Sequence, residues 1–199
     1  MIKSISIIVI LLYSSVYQLS AQPDYLILTS GDTLFGSIER YEQLLTKDKY
    51  YSKVRLTNQK GKRKKYSHSE IKEIGIGNHI YRKYNLQVVT QLNILTNYYR
   101  AVAFGGNEKF LEVVTEGPVS MYYYYWVDGM DQDNPSSFPL FKKANEDVMV
   151  RATQGIFGLK KKVLTSYFSD CPDLQKALED GAFKLPQEVV NYYNTQCEK

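Results

Sequence analysis

Tyr25-Leu26-Ile27-Leu28-Thr29-Ser30-Gly31-Asp32-Thr33-Leu34-Phe35-Gly36-Ser37-Ile38 decides the fold class. Two β-prone runs flank Ser30-Gly31-Asp32, a short glycine-containing connection that fits a tight hairpin. Gly36, inside the second run, marks a bulge or a close backbone approach. A second hairpin is predicted from Tyr50 to Thr57 paired with Lys62 to Tyr66, across Asn58-Gln59-Lys60-Gly61, residues that tolerate positive φ. Ser67-His68-Ser69-Glu70 has capping-box spacing, which predicts one helical turn carrying Ile71 and Ile74 into the core before Gly75 and Gly77 end it. Further strands are expected at His79 to Tyr84, Gln87 to Leu95, Tyr98 to Phe104, Lys109 to Thr115, Val119 to Val127, Phe138 to Lys143 and Val148 to Ala152. Gly105-Gly106 and Gly117-Pro118 make tight connections, and Asp128 to Ser137 reads as a longer polar loop. Strands this frequent favour antiparallel meanders, so residues 24–152 should form a β-rich roll, partial barrel or sandwich.

Near Gly155 the hydrophobic period changes. Ile156, Leu159, Val163 and Tyr167, with Phe157, Leu164 and Phe168 beside them, recur at three, four and seven residues, as in an amphipathic helix with Lys160, Lys161 and Lys162 outside. Pro172 takes the first position of a second helix, with Leu174, Ala177 and Leu178 inward and Gly181 as its stop. Pro186 starts a third, in which Val189, Val190, Tyr193 and Cys197 share a face. The whole is an α+β chain: a β-rich part at 24–152 and a three-helix tail at 155–197.

Met1 to Ala21 reads as a secretory signal peptide. Lys3 supplies a positive start, the apolar run Ile5 to Val16 is too short to span a bilayer, and Leu19-Ser20-Ala21 puts a small residue before the cut. Residue 22 is glutamine, so lipid attachment at a new N-terminus is unsupported. Residues 22–199 then make a single mature domain of about 180 residues, enough to bury a core. With 23% charged and 44% hydrophobic residues the composition excludes wholesale disorder. No apolar stretch after Gln22 approaches the length of a membrane helix, so the mature part is expected to be soluble or peripheral. The net charge of +4 is too small to imply a nucleic acid partner.

Cys171 at the start of the second helix and Cys197 at the end of the third should meet, because the short Gly181 to Leu185 connection makes those helices antiparallel neighbours. In an exported chain this predicts one structural disulfide. No Cys-x-x-Cys pair is present, and two thiols alone make no zinc site. His68 and His79 belong to no metal or triad motif; Ser67-His68-Ser69 reads as a cap or surface segment, since neighbours on an extended chain face opposite ways and no orienting carboxylate is implied. Asp128-Gly129-Met130-Asp131-Gln132-Asp133-Asn134 gathers oxygen ligands but fails the EF-hand spacing, which favours a solvated loop. Neither Gly-x-Ser-x-Gly nor a phosphate-cradling glycine loop occurs. No catalytic, metal or cofactor residues are assigned.

Two surface candidates remain. The 18 tyrosines include Tyr122-Tyr123-Tyr124-Tyr125-Trp126; on a strand, Tyr122, Tyr124 and Trp126 share one face and Met121, Tyr123, Tyr125 and Val127 the other. The first face suits stacking on sugar rings or a partner's aromatic anchors, and its ordinary alternative is packing beneath the helices. Lys62, Arg63, Lys64 and Lys65, with Lys60 beyond Gly61, form a basic hairpin tip and edge. It suits anionic lipid headgroups or acidic glycans, and its ordinary role is to protect an edge from aggregation.

Gly31-Asp32-Thr33-Leu34-Phe35-Gly36-Ser37-Ile38 behind a signal peptide, Glu116-Gly117-Pro118-Val119-Ser120-Met121-Tyr122, and the ending Tyr167-Phe168-Ser169-Asp170-Cys171-Pro172 to Tyr193-Asn194-Thr195-Gln196-Cys197 resemble uncharacterised exported proteins of the Bacteroidota. The resemblance spans most of the mature chain and implies a cell-envelope location, periplasmic or extracellular and outer-membrane associated; it carries no catalytic residues. The leading expectation is a non-enzymatic envelope module binding a protein or glycan partner through its β portion. A hydrolase whose carboxylates meet only in the fold, and a peripheral binder of anionic membrane, are the alternatives.

Overall fold

In the computed structural model, described for residues 23–39, 41, 53–90, 97–128, 131–155 and 158–197, the chain is a closed antiparallel barrel with extra strands at one side and helices behind it. The signal segment Met1 to Ala21 lies outside the described residues.

The first part holds β1 (Tyr25–Leu28), β2 (Thr33–Phe35), β3 (Ser37–Glu39), β4 (Lys53–Thr57), β5 (Arg63–Ser67) and β6 (Ile71–Ile76). β2 and β3 are halves of one strand bent at Gly36: β2 ends the nine-stranded sheet beside β1, and β3 begins a three-stranded sheet, β3-β4-β5. A Cβ at Gly36 would collide with the Thr57 carbonyl, so the corner needs glycine for the close approach itself. A single 3-10 turn, His68–Glu70, links β5 to β6. Glu70 closes it as the capping-box spacing predicts, its Oε2 accepting the Ser67 N–H at 2.7 Å. Ile71 and Ile74 are fully buried, but in strand β6, which runs through Gly75. The glycine does not end the element there; it gives room to the Tyr25 ring stacked on it. Leu26, Ile38, Val54, Leu56, Tyr66, Ile71 and Ile74 form one core, which Tyr81 and Phe110 complete from the barrel.

The six barrel strands are β7 (His79–Thr90), β8 (Asn97–Ala101), β9 (Asn107–Thr115), β10 (Val119–Asp128), β11 (Asp131–Lys143) and β12 (Val148–Arg151). Their order is β7-β8-β12-β11-β10-β9, and β9 pairs back onto β7, with Ile80 opposite Val113 and Leu86 opposite Asn107. Two expectations change here. The segments either side of Asn85 are one strand, because the first half of β7 pairs with β6 and the second half with β8 while β9 runs along its other edge. The segment expected as a polar loop, Asp128 to Ser137, is mostly strand: β11 begins at Asp131, and Ser136 and Ser137 pair with Trp126 and Tyr125. Pairing along β10 holds the segment as strand, which outweighs its polar composition.

Alternation sorts the barrel side chains. Leu86, Tyr99, Leu111, Tyr122, Phe138, Leu140 and Met149 fill the interior. The opposite parity, Val119, Met121, Phe141 and Val150, faces helices α1 (Lys161–Tyr167), α2 (Pro172–Glu179) and α3 (Pro186–Tyr192), which cover it with Leu164, Phe168, Leu174, Leu178, Val189 and Val190. Pro172 and Pro186 stand in the first turns of α2 and α3, and Gly181 ends α2 with φ +74°. α1 is shorter than its periodicity predicts. Gly158 sits at φ +76°, Leu159 bridges to Thr153, and the helix starts only after Lys160, which is buried and not on the outer face. The Cys171–Cys197 disulfide is formed, Cα–Cα 5.6 Å, tying α2 to the π-helical turn Tyr193–Cys197.

Candidate binding groove

The β4–β5 hairpin is built stiffly. The Asn58 side chain accepts the N–H of Lys60 at 3.0 Å and of Lys62 at 2.9 Å, while Gly61 takes φ +73°. Across the Gly36 corner stands β2, and between the two lies an open groove of about 740 Å³. Its lining is Thr33, Leu34 and Phe35 on one side and Leu56, Asn58, Gln59, Lys60, Lys62, Arg63, Lys64 and Tyr66 on the other. Leu56 and Tyr66 belong to the core, so the floor is apolar. Lys64 caps it, its Nζ 4.7 Å from the centre of the Tyr66 ring. Phe35 is 51% exposed on the rim.

Four cations line the groove and, among the described residues, no carboxylate does. Positive charge over an apolar floor raises the local concentration of anions and rewards ligands with an apolar portion. Of the basic run singled out in the sequence, Lys62, Arg63 and Lys64 line this groove; Lys65, opposite Arg55 on β4, is exposed outside it. Phe35 and Leu34 were not legible as its far wall. Only the bend at Gly36 brings them there.

The aromatic string divides as its alternation requires. Tyr122 is in the barrel interior, 3% exposed, and its hydroxyl accepts that of Tyr84 at 2.9 Å. Tyr124 stacks on Phe138, centroids 4.9 Å apart, and Trp126 lies 5.2 Å from the same ring. The Arg151 guanidinium also lies over Phe138, 4.2 Å from its ring centre. The helix-facing parity is thus Met121 and Tyr123, and the Tyr122, Tyr124 and Trp126 face turns inward.

The histidines have carboxylate partners that the local sequence does not announce. His68 is buried, its Nδ1 2.9 Å from Glu108 Oε2 and its ring edge-on to Phe110. Burial pushes the His68 imidazole below its usual range against the pull of Glu108. Ser67 is engaged with Ser69 and Glu70. Exposed His79 meets Glu112 at 2.6 Å, and Glu112 also accepts the Tyr125 hydroxyl. Two acids, Glu73 and Glu116, converge on one guanidinium: Arg82 Nε to Glu73 at 2.7 Å and Nη1 to Glu116 at 2.6 Å. Tyr25 donates to the other Glu73 oxygen, and burial together with that carboxylate pushes its phenol up to about 12. Arg82 holds the facing oxygens of both acids, so the cluster is a clamp joining β1, β6 and β7 to the β9–β10 turn. Among the described residues no three His, Cys, Asp or Glu side chains gather as a metal site. No helix among them is long and apolar enough to cross a membrane.

Compared with protein-family models, curated proteins and solved structures, the chain finds no match.

Proposed function

We propose that this chain is an exported, non-enzymatic module of the cell envelope, of the kind its Bacteroidota resemblance implies, and that it binds an anionic partner in the groove between β2 and the β4–β5 hairpin. The observation that carries the reading is the composition of that groove: Lys60, Lys62, Arg63 and Lys64 around an apolar floor, with no acid among the lining residues. The disulfide is consistent with an oxidising compartment, where such bonds persist. A partner protein fits better than a membrane, because a concave groove cannot lay four cations flat on a bilayer.

The test is binding of the folded protein to acidic and neutral polymers of matched length at two ionic strengths. Replacing Lys62, Arg63 and Lys64 together by glutamine should weaken acidic binding at least tenfold and flatten its salt dependence. Binding indifferent to both the substitution and the salt would remove the groove as the contact face. The hydrolase alternative would need converging acids; Glu73 and Glu116 converge, but Arg82 already spans them.

A further inference from the structure

We propose that the groove is a strand-addition site: an extended acidic segment of a partner protein pairs with the outer edge of β2 while the β4–β5 hairpin supplies the countercharge. This rests on the groove being the binding face and goes on to name the class of partner.

The first ground is the backbone. Leu28 N–H donates to Asp32 O at 2.9 Å and Gly36 N–H to Asp24 O at 3.0 Å. With Leu26 opposite Leu34, these bonds fix the phase of the β1–β2 ladder. Residues 28 with 32, 26 with 34 and 24 with 36 are the hydrogen-bonded pairs, so Leu34 turns its N–H and C=O toward β1. Thr33 and Phe35 turn theirs outward. Among the described residues no strand of either sheet pairs with that side of β2, which is the last strand of its sheet. Thr33, Leu34 and Phe35 all line the groove, so the free donors and acceptors face the same space as the cations.

The second ground is charge. An open strand edge invites any extended chain, and lysines beside it repel neutral and basic ones. Here the repulsion is selective, because Lys60, Lys62, Arg63 and Lys64 reward a strand that brings carboxylates. An incoming strand lies about 4.8 Å from β2, and its alternate side chains meet the apolar floor of Leu34, Leu56 and Tyr66. Ladder bonds give affinity, the floor and cations give specificity. A polysaccharide or a phospholipid headgroup satisfies the charge but has no amide ladder to offer.

The test uses the folded, disulfide-bonded protein and a labelled, blocked heptapeptide alternating glutamate and valine between terminal threonines. It should bind, and on binding slow amide hydrogen exchange at Thr33 and Phe35. The same peptide with its glutamate and valine amides N-methylated keeps the charge but loses the ladder, and should bind at least tenfold more weakly; a version with lysine for glutamate should not bind. Thr33→Pro removes one outward N–H and leaves the Leu34 bonds to β1, so it should lose tenfold or more with its melting curve retained. Equal binding of the methylated peptide, or no change in exchange at Thr33 and Phe35, overturns strand addition and leaves the groove reading standing. Binding of polygalacturonate or of phosphatidylglycerol vesicles at this groove, with no peptide binding, overturns it in favour of a glycan or a membrane. Indifference of every anionic probe to the triple glutamine substitution overturns both readings together.

Discussion

In the barrel, every strand meets a neighbour on each side, because β7 pairs with β9 as well as with β8. In the N-terminal sheets β2 and β5 each end a sheet, and the space between β2 and the β5 hairpin is lined with cations. The barrel also has its outer wall covered by helices and those helices tied by a disulfide. The N-terminal sheets keep their core small and borrow Tyr81 and Phe110 to finish it. One region has spent its edges on closure and the other keeps strands at sheet ends. The contrast suits the first to stability and, on the function proposed above, the second to contact with a partner.

The contrast breaks most readily at the helical cover. Phe168 is fully buried and packs on Tyr167 and Tyr193 at 5.1 Å each and on Phe141 at 6.1 Å. Phe168→Ala should cost about 4 kcal/mol. Calorimetry should show the melting temperature falling by roughly 10 °C, with groove binding intact at 25 °C. Opening the Cys171–Cys197 bond, which closes 26 residues, should cost about 3.5 kcal/mol by chain entropy. Reduction under native conditions should raise hydrogen exchange in α2 and α3 before any barrel strand responds. If the barrel loosens first, the helices are not the part the disulfide holds.

Gly36→Ala tests the other region. The added methyl meets the Thr57 carbonyl, and about 2 kcal/mol of overpacking should open the corner and spread the groove, read as weaker anion binding at unchanged barrel exchange. Acid should separate the regions by the pH at which each loosens. The folded His68 pKa is depressed, so the unfolded chain binds more protons below its usual pKa of about 6.5, and N-terminal stability falls as pH drops through that value toward the folded one. Asp170 in the cover also sits low: burial pushes it up, but the Tyr193 hydroxyl and the Lys143 ammonium outweigh this. Its contribution is present above about pH 4 and is lost only as pH falls below that. Exchange measured at pH 7, 5.5 and 4 should therefore show β5 and β6 loosening before α2; simultaneous loosening would erase the distinction. Smallest of all, replacing Lys62, Arg63, Lys64 and Lys65 by glutamine should leave stability within about 0.5 kcal/mol, because exposed charges contribute little to folding.

Much of the strand content and both tail prolines were legible, because alternation, turn glycines and first-turn prolines are local signals. Tyr122 to Trp126 could be sorted onto two faces but not assigned, since which face is interior depends on β11 supplying Phe138 and β9 returning to β7. Asp131 to Ser137 failed as a loop for a different reason: its polar composition hid a hairpin pairing with Tyr125 to Asp128 just before it. Lys160 looked solvated because its neighbours Lys161 and Lys162 are lysines, and the turn at Gly158 rotates it inward. At the groove the cations were visible as a run, whereas the β2 wall was invisible because it belongs to a different hairpin. The carboxylates of Glu108 and Glu112 were hidden from the histidines by the same distance along the chain.

Strand β7 has a consequence for the order in which the molecule comes into being. Synthesis releases the N-terminal end first. Strands β1 to β6 and the first half of β7 exist before the ribosome has made any other barrel strand, whereas closure waits for Arg151 and the disulfide for Cys197. β7 is then held along β6 while the far edge it will share with β9 is still bare. We expect a released fragment ending after Thr90 to protect β6 from protease already, with β8 to β12 condensing afterwards on that strand as on a seed; fragments that stay fully cleavable until Arg151 is included would reverse the order.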